Sequence, residues 1–330
     1  MSRKLSVHKT SWPMIAPFRI TGHVFEVIDM IEVEISESGN VGRGEGCGAY
    51  YLNDFADGML DQVEALRRDI EGGLSREDLQ EAMSPCGARN ALDCALWDLE
   101  SQQSGKSIWE LTGITPKDQR TVFTIGIEAT PEKMAEKAAR ANAYPILKIK
   151  LDNEAPIERI AAIRKVRPDA ALVIDANQGF TLSQLEEVAP QLADLGVAMI
   201  EQPLPRGDDA GLAGFKSPVP ICADESCLHR GELPAALERY DMINIKLDKT
   251  GGLTEGLALA QEALDAGKRL MVGNMVGTSL SMAPSFVVAQ LCDYVDLDGP
   301  LNLKSDHLGG MFYKNSLVSQ PSVGFWGGMR

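Results

Sequence analysis

Carboxylates and lysines recur at a fixed beat through the second half of this chain. Asp175, Glu201 and Asp224 each close a short apolar run, and so do Lys150, before them, and Lys246, after them. Successive members of the series Lys150, Asp175, Glu201, Asp224 and Lys246 stand 22 to 26 residues apart, about one strand-plus-helix unit. If each run is a strand of one closed barrel, the five groups converge on one mouth. Three carboxylates packed together are costly unless a cation neutralises them. An all-oxygen set without His or Cys favours a hard cation, Mg²⁺ ahead of Mn²⁺ or Ca²⁺. The ordinary alternative, that each carboxylate caps the next helix or pairs with a lysine, suffices for any one of them but poorly for three at successive strand ends.

Lys148 and Lys150 are two apart, so on a strand they point to the same side. Crowding and desolvation favour a neutral amine, which suits Lys150 to be a base near neutral pH. Lys246 lies four strands on, across an eight-stranded barrel, so two lysines could each reach one face of a bound carbon. Asp296 and Asp298 are also two apart and inward-facing, on the strand counted furthest from the carboxylate triplet. They suit an ammonium group on a substrate, or a rim salt bridge to Lys304; spacing alone leaves both open. Asn177 and Glu225, just past two of the strand ends, are expected to support the site.

The elements that must hold these groups follow from periodicity. Apolar runs at 121–125, 146–151, 171–175, 198–201, 221–224, 242–247, 269–272 and 294–298 read as strands. Segments 131–142, 157–166, 182–195 and 255–266 between them read as helices, with Pro131 at a start and Gly196 and Gly267 past ends. Alternating β and α units imply a parallel sheet, and eight strands imply a barrel. No Gly-x-Gly-x-x-Gly follows the first strand, which weakens a dinucleotide-binding reading. Before this region, a loosely alternating strand at 26–35 and helices at 57–70 and 89–103 form a small α+β domain. The expected organisation is an α+β capping domain over 1–118, completed by 302–330, on a catalytic barrel over 119–301.

The chain has 330 residues and a formal charge of −15, with 44% hydrophobic and 24% charged residues. That field repels phosphate backbones and anionic lipid, so nucleic-acid and membrane partners are not expected. No apolar run reaches the length of a membrane span. The six cysteines include no Cys-x-x-Cys pair, and the first residues carry no apolar secretory core, so a cytoplasmic protein with reduced thiols is expected. A homo-oligomer is compatible with the sequence.

Seven motifs together resemble the enolase superfamily, and within it the dipeptide epimerases, over most of the chain. They are Arg89–Leu99 (RNALDCALWDL), Leu147–Asn153 (LKIKLDN), Val173–Asn177 (VIDAN), Ile200–Pro205 (IEQPLP), Ile221–Ser226 (ICADES), Asn244–Glu255 (NIKLDKTGGLTE) and Asp296–Pro300 (DLDGP). The resemblance implies a modified (β/α)₇β TIM barrel with an N-terminal α+β cap. It implies one Mg²⁺ on Asp175, Glu201 and Asp224, with Mn²⁺ as a substitute, and Lys150 and Lys246 as acid/bases assisted by Lys148. It implies that the Asp296/Asp298 pair holds the α-ammonium of a dipeptide, with Thr124 and Arg19 as further substrate contacts. The activity implied is epimerisation of the C-terminal residue of an L-Ala-X dipeptide, L-Ala-D/L-Glu favoured, by two-base proton transfer through an enediolate; peptidoglycan recycling is the pathway the family suggests.

Epimerases that prefer an acidic second residue take a cation from a first-domain loop. Here that stretch is Ala16–Phe25, and the basic residue expected a few positions past Phe18 is missing, with Arg19 and His23 as local substitutes. Sister activities share the lysines: N-acylamino-acid racemisation, o-succinylbenzoate synthesis and muconate cycloisomerisation. Their substrates lack a free ammonium, against the Asp296/Asp298 pair. A sugar-acid dehydratase would use a late His base, yet no His lies between His229 and His307. A Schiff-base aldolase needs a single lysine and no metal triplet. A solute-binding protein is the non-enzyme alternative, disfavoured by the paired lysines.

Overall fold

A computed structural model describes residues 2–20 and 23–328. Met1, Thr21 and Gly22 of the first-domain region, and residues 329–330 of the returning C-terminal segment, lie outside the described residues.

Strands β1 (Lys4–Ile20), β2 (His23–Glu37) and β3 (Asn40–Gly46) form an antiparallel meander. Ser38 and Gly39 turn β2 into β3 at φ of 52° and 88°, the backbone of a tight hairpin whose twist matches its strands. Leu5, Ile31, Val33 and Ile35 pack from this sheet against the helix Gly87–Ser104. Gly42, Gly44 and Gly46 alternate along β3 under the same helix. A methyl group on them would collide with the backbone carbonyls of Ala95, Ala91 and Gly87 respectively, so glycine sets how closely helix and strand approach.

After β4 (Gln119–Arg120) come β5 (Phe123–Ile125), β6 (Ile146–Lys150), β7 (Ala171–Asp175), β8 (Val197–Glu201), β9 (Ile221–Ala223), β10 (Met242–Ile245), β11 (Arg269–Val272) and β12 (Tyr294–Val295). Strands β5 to β12 make one parallel sheet in sequence order. The sheet curls until its ends meet: Thr121 bridges to Val295, and the Val122 N–H donates to the Val295 carbonyl at 2.8 Å. This is the α/β barrel expected from the beat of the sequence, with an antiparallel-sheet domain before it. Helices Pro131–Arg140, Pro156–Val166, Leu182–Asp194 and Leu253–Asp265 cover it. Thr130 and Thr181 cap the first and third of these through their side chains.

Two expectations need correction. β12 ends at Val295, so Asp296 and Asp298 follow the last strand instead of lying on it. A fully buried helix, Ser279–Ala289, follows β11; its apolar run carries no helical periodicity because every side of it is covered.

Strands β13 (Tyr313–Lys314) and β14 (Leu317–Val318) pair with each other, and β14 pairs with β4. Beyond them the Trp326 indole donates to the carbonyls of Arg43 and Cys94, and the Gly327 N–H to Asp98, so the chain end is stitched to the first domain. The 248–254 segment is one place where that domain is tied to the barrel. The Arg89 guanidinium donates to the carbonyls of Gly251 and Thr250, Asn90 donates to Asp248, and Asp93 accepts the Thr254 N–H. Among the described residues, no helix is long and apolar enough to cross a membrane.

Candidate active site

Strand alternation sorts the barrel interior into two layers. Val122, Val173, Met199, Cys222, Met242 and Met271 form a buried apolar floor. Two residues further along four of these strands, the same inward phase brings Asp175, Glu201, Asp224 and Asn244 above it. The floor shuts water out from below, so the charges above must satisfy one another.

They do so as a network. The Lys148 ammonium lies 3.1 Å from Asp175, 2.8 Å from Glu201 and 2.8 Å from Asp296. Lys150 donates to Asp175 Oδ2 at 2.6 Å and to Asn177 Oδ1 at 3.0 Å. Lys246 donates to Asp224 Oδ2 at 2.6 Å, and Lys249 to Asp224 Oδ1 at 2.7 Å. Asn244 holds Glu201 by a 2.6 Å bond to Oε1. The remaining oxygen, Glu201 Oε2, is buried without a hydrogen bond, since Lys148 approaches it out of hydrogen-bonding geometry.

Counting charges explains that orphan. Asp175, Glu201, Asp224, Glu225, Asp296 and Asp298 are six buried carboxyl groups; Lys148, Lys150, Lys246 and Lys249 are four buried ammonium groups. With every group ionised the surplus is two negative charges, the amount one divalent cation offsets. The crowding shifts these carboxyl groups in opposite directions. Burial, which alone would raise it, is outweighed at Asp224 by Lys246 and Lys249, and at Asp175 by Lys150 and Lys148, so both stay well below the usual carboxylate range. Burial and the Asp175 charge push Glu201 up, while burial and the Asp224 charge push Glu225 up. Asp175, Glu201 and Asp224 present oxygens within 4.8 Å of one another, all buried. Their donor set, the orphaned oxygen and the surplus charge together fit Mg²⁺.

Two of the lysines are shifted by the carboxylates around them. Desolvation does act to lower Lys148 and Lys246, but Asp296 and Glu201 at the first, and Asp224 and Glu201 at the second, outweigh it and raise both. Asp296 is nearer the triplet than strand counting placed it. Closing the barrel sets its last strand beside its first, and a single ammonium, Lys148, spans Asp296 and Glu201. Asp298 accepts the Thr124 N–H at 2.7 Å; burial first and Asp296 second push its carboxyl up.

A cavity of about 420 Å³ opens over the network between the two domains. Lys150, Lys246, Asn177 and Glu225 line its barrel side; Phe18, Ile20, His23, Phe25, Tyr50 and Tyr51 line its cap side. Arg19 is not among the lining residues. Its side chain is exposed and its carbonyl accepts the Ile127 N–H. A register shift between Pro13 and Phe18 sets the phase of β1 so that Phe18 and Ile20 take the cavity side. His23, stacked on Tyr50 at 5.1 Å, lines the cavity in its place.

Three positioning residues escaped sequence reading. Lys249, fully buried, donates to the carbonyls of Asp224, Cys227 and Asn244 as well as to the Asp224 carboxylate. Gln202 accepts the Asp224 and Ser226 N–H groups and donates to Tyr240. Asn244 orients Glu201. All three sit in motifs quoted above, and only the cross-strand contacts reveal what they hold.

Comparison with known proteins places the whole chain. Residues 132–311 match the family model "Enolase C-terminal domain-like", and residues 2–113 match "Mandelate racemase / muconate lactonizing enzyme, N-terminal domain". The chain is 44% identical over 309 residues to the L-Ala-D/L-Glu epimerase of Escherichia coli K12, covering 92% of this chain and 95% of that one. It is 38% identical over 301 residues to the N-acetyl-D-glutamate racemase of a Pseudoalteromonas species, covering 91% and 95%. An Agrobacterium tumefaciens enolase family member, crystallised with sodium and L-Ala-L-Glu, superposes with a TM-score of 0.95 at 40% identity, covering 98% and 99%. A dipeptide epimerase of Enterococcus faecalis with Mg and L-Leu-L-Tyr superposes at 0.90 and 30% identity, covering 97% of each chain.

Lys249 gives a direct test of how the network is held. Lys249→Met should take from Asp224 one of its two ammonium partners and from the Cys227 and Asn244 carbonyls this donor, costing about 3–5 kcal/mol of stability. A denaturation midpoint equal to that of the wild type would contradict this role.

Proposed function

The chain belongs to the enolase superfamily, among its dipeptide epimerases, and on that footing we propose that it inverts the α-carbon of the C-terminal residue of L-Ala-X dipeptides, with L-Ala-D/L-Glu preferred. The observation that carries this reading is the placement of two lysines. Lys150 and Lys246 both line the cavity, and each is pinned to a different carboxylate of the triplet, Asp175 and Asp224. A carbon held over the triplet therefore has one lysine on either side.

The α-carbon of a carboxylate is a very weak acid, because losing its proton adds charge to an anion. Asp175, Glu201 and Asp224 would hold Mg²⁺, which would supply positive charge beside that developing charge. Lys148, already spanning Asp175, Glu201 and Asp296, adds a fixed ammonium on the same side. One lysine enters neutral and takes the α-proton; the other enters charged and delivers a proton to the opposite face. The roles exchange with the stereochemistry of the substrate, and the stereocentre inverts without redox chemistry or a covalent intermediate. The apolar floor and the aromatic cap residues keep bulk water from quenching the carbanion.

Asp298, beside Thr124, is the proposed partner of the dipeptide ammonium, with Asp296 behind it. The glutamate preference is supported by the 44% identical relative and by the superposed L-Ala-L-Glu complex. In this chain His23 is the cap residue offered to the side-chain carboxylate, since Lys9, also on the cavity, is engaged by Asp29 and Asp57 at 3.1 Å each. A second reading, racemisation of an N-acylated glutamate, is favoured by one observation: Lys148 already occupies Asp296.

Those readings separate on one comparison. L-Ala-L-Glu should exceed N-acetyl-L-Glu in kcat/KM by roughly 10- to 150-fold, the value of a charge-assisted contact of about 1.5–3 kcal/mol. Equal turnover of the two would move the assignment to the racemase. Asp298→Asn should erase most of the difference.

The lysines are tested separately. Lys150→Ala and Lys246→Ala should both abolish epimerisation. Any residual exchange of the α-hydrogen with D₂O should appear with one epimer in the first variant and with the other epimer in the second. Epimerisation at the wild-type rate in either variant would refute the two-base assignment.

A further inference from the structure

A second cluster of metal-ligating side chains lies outside the active-site cavity. Glu32 on β2, Glu45 on β3 and His307 on the C-terminal segment each present one ligand atom, and these lie within 4.8 Å of one another. His307 Nε2 is 3.2 Å from Glu32 Oε1 and 3.6 Å from Glu45 Oε2. Nε2 is buried and faces both carboxylates at ion-pair distance, without a well-aligned hydrogen bond to either. Bonds of about 2.0–2.2 Å around a tetrahedral ion separate neighbouring ligand atoms by roughly 3.3–3.5 Å. The two measured separations bracket that edge.

The surroundings are built as a ligand shell is. The Glu45 residue is 1% exposed, and its carboxylate is fixed by the Thr278 N–H at 2.9 Å and the Thr278 hydroxyl at 2.7 Å. The Trp12 ring, 5.2 Å from the His307 ring, flanks the imidazole. His8 Nε2 lies 3.5 Å from the other oxygen of Glu32.

We propose that Glu32, Glu45 and His307 form a second divalent-cation site, independent of the carboxylate triplet. The imidazole nitrogen shifts its preference from Mg²⁺ to a borderline cation, Zn²⁺ or Co²⁺. An ion there ties the C-terminal segment to β2 and β3. Through Glu45 and Thr278 it also reaches the end of the 274–276 loop that lines the catalytic cavity.

The test is metal content after equilibrium dialysis of metal-stripped protein against excess Mg²⁺ plus micromolar Zn²⁺, with Co²⁺ in a parallel series. Wild type and Asp175→Asn should each retain one equivalent of Zn²⁺, which keeps the result separate from the fate of the triplet. His307→Ala and Glu45→Gln should lose it, and Glu32→Gln, at the less buried ligand, should weaken retention at least tenfold. Zn²⁺ should raise the Tm of the wild type and leave that of His307→Ala unmoved. No retained zinc in the wild type, or zinc retained equally by all three ligand variants, would overturn the site and leave an ion pair between His307 and the two glutamates.

Discussion

Surplus negative charge buried over an apolar floor is the constraint on which this molecule is organised. Six carboxyl groups and four ammonium groups share a space that water cannot reach from below. A lone charge there would cost several kcal/mol, so each group is held by a partner that another element supplies. Asp224 is held by Lys246 and Lys249, Glu201 by Asn244, and Asp175 by Lys150. One oxygen each of Glu201 and Glu225 is left without a hydrogen bond, and with every group ionised two negative charges are in excess, a demand that a divalent cation would meet. The proposed chemistry draws on the same demand, because a cation that completed the network would also stabilise charge developing on a substrate.

The cap domain is fastened to the segment that carries the second lysine. Arg89, Asn90 and Asp93, on one buried helix, bind Thr250, Gly251, Asp248 and Thr254, just after Lys246. That helix can lie so close only because β3 offers Gly42, Gly44 and Gly46 beneath it. The position of Lys246 thus depends on glycines in another domain. The cap in turn sets Phe18, His23 and Tyr50 over the cavity.

The barrel was legible because its strands are buried on both faces. Such strands read as unbroken apolar runs, and a charged residue closing each run stands out. Asp175, Glu201 and Asp224 could be named that way because the register carries all three inward. Contacts made only by folding were not legible. Lys249 turns back under Asp224 because a short helix, Leu247–Thr250, starts immediately after β10. Asp296 meets Lys148 because the sheet closes, and counting strands along a line hides that. Arg19 was misplaced because a register shift in β1 sets its phase, which a count of alternating residues cannot see. The protonated state favoured for Lys148 and Lys246 depends on the sum of several carboxylates against burial, a balance that spacing does not contain.

The account rests most heavily on the carboxylate triplet as the seat of a required divalent cation. The direct measurement is exchange of the α-hydrogen of L-Ala-L-Glu in D₂O, followed by mass or NMR with metal-stripped protein. Exchange should be absent without metal, return on adding Mg²⁺, and fail to return in Asp224→Asn. Full exchange by metal-stripped protein would contradict the account.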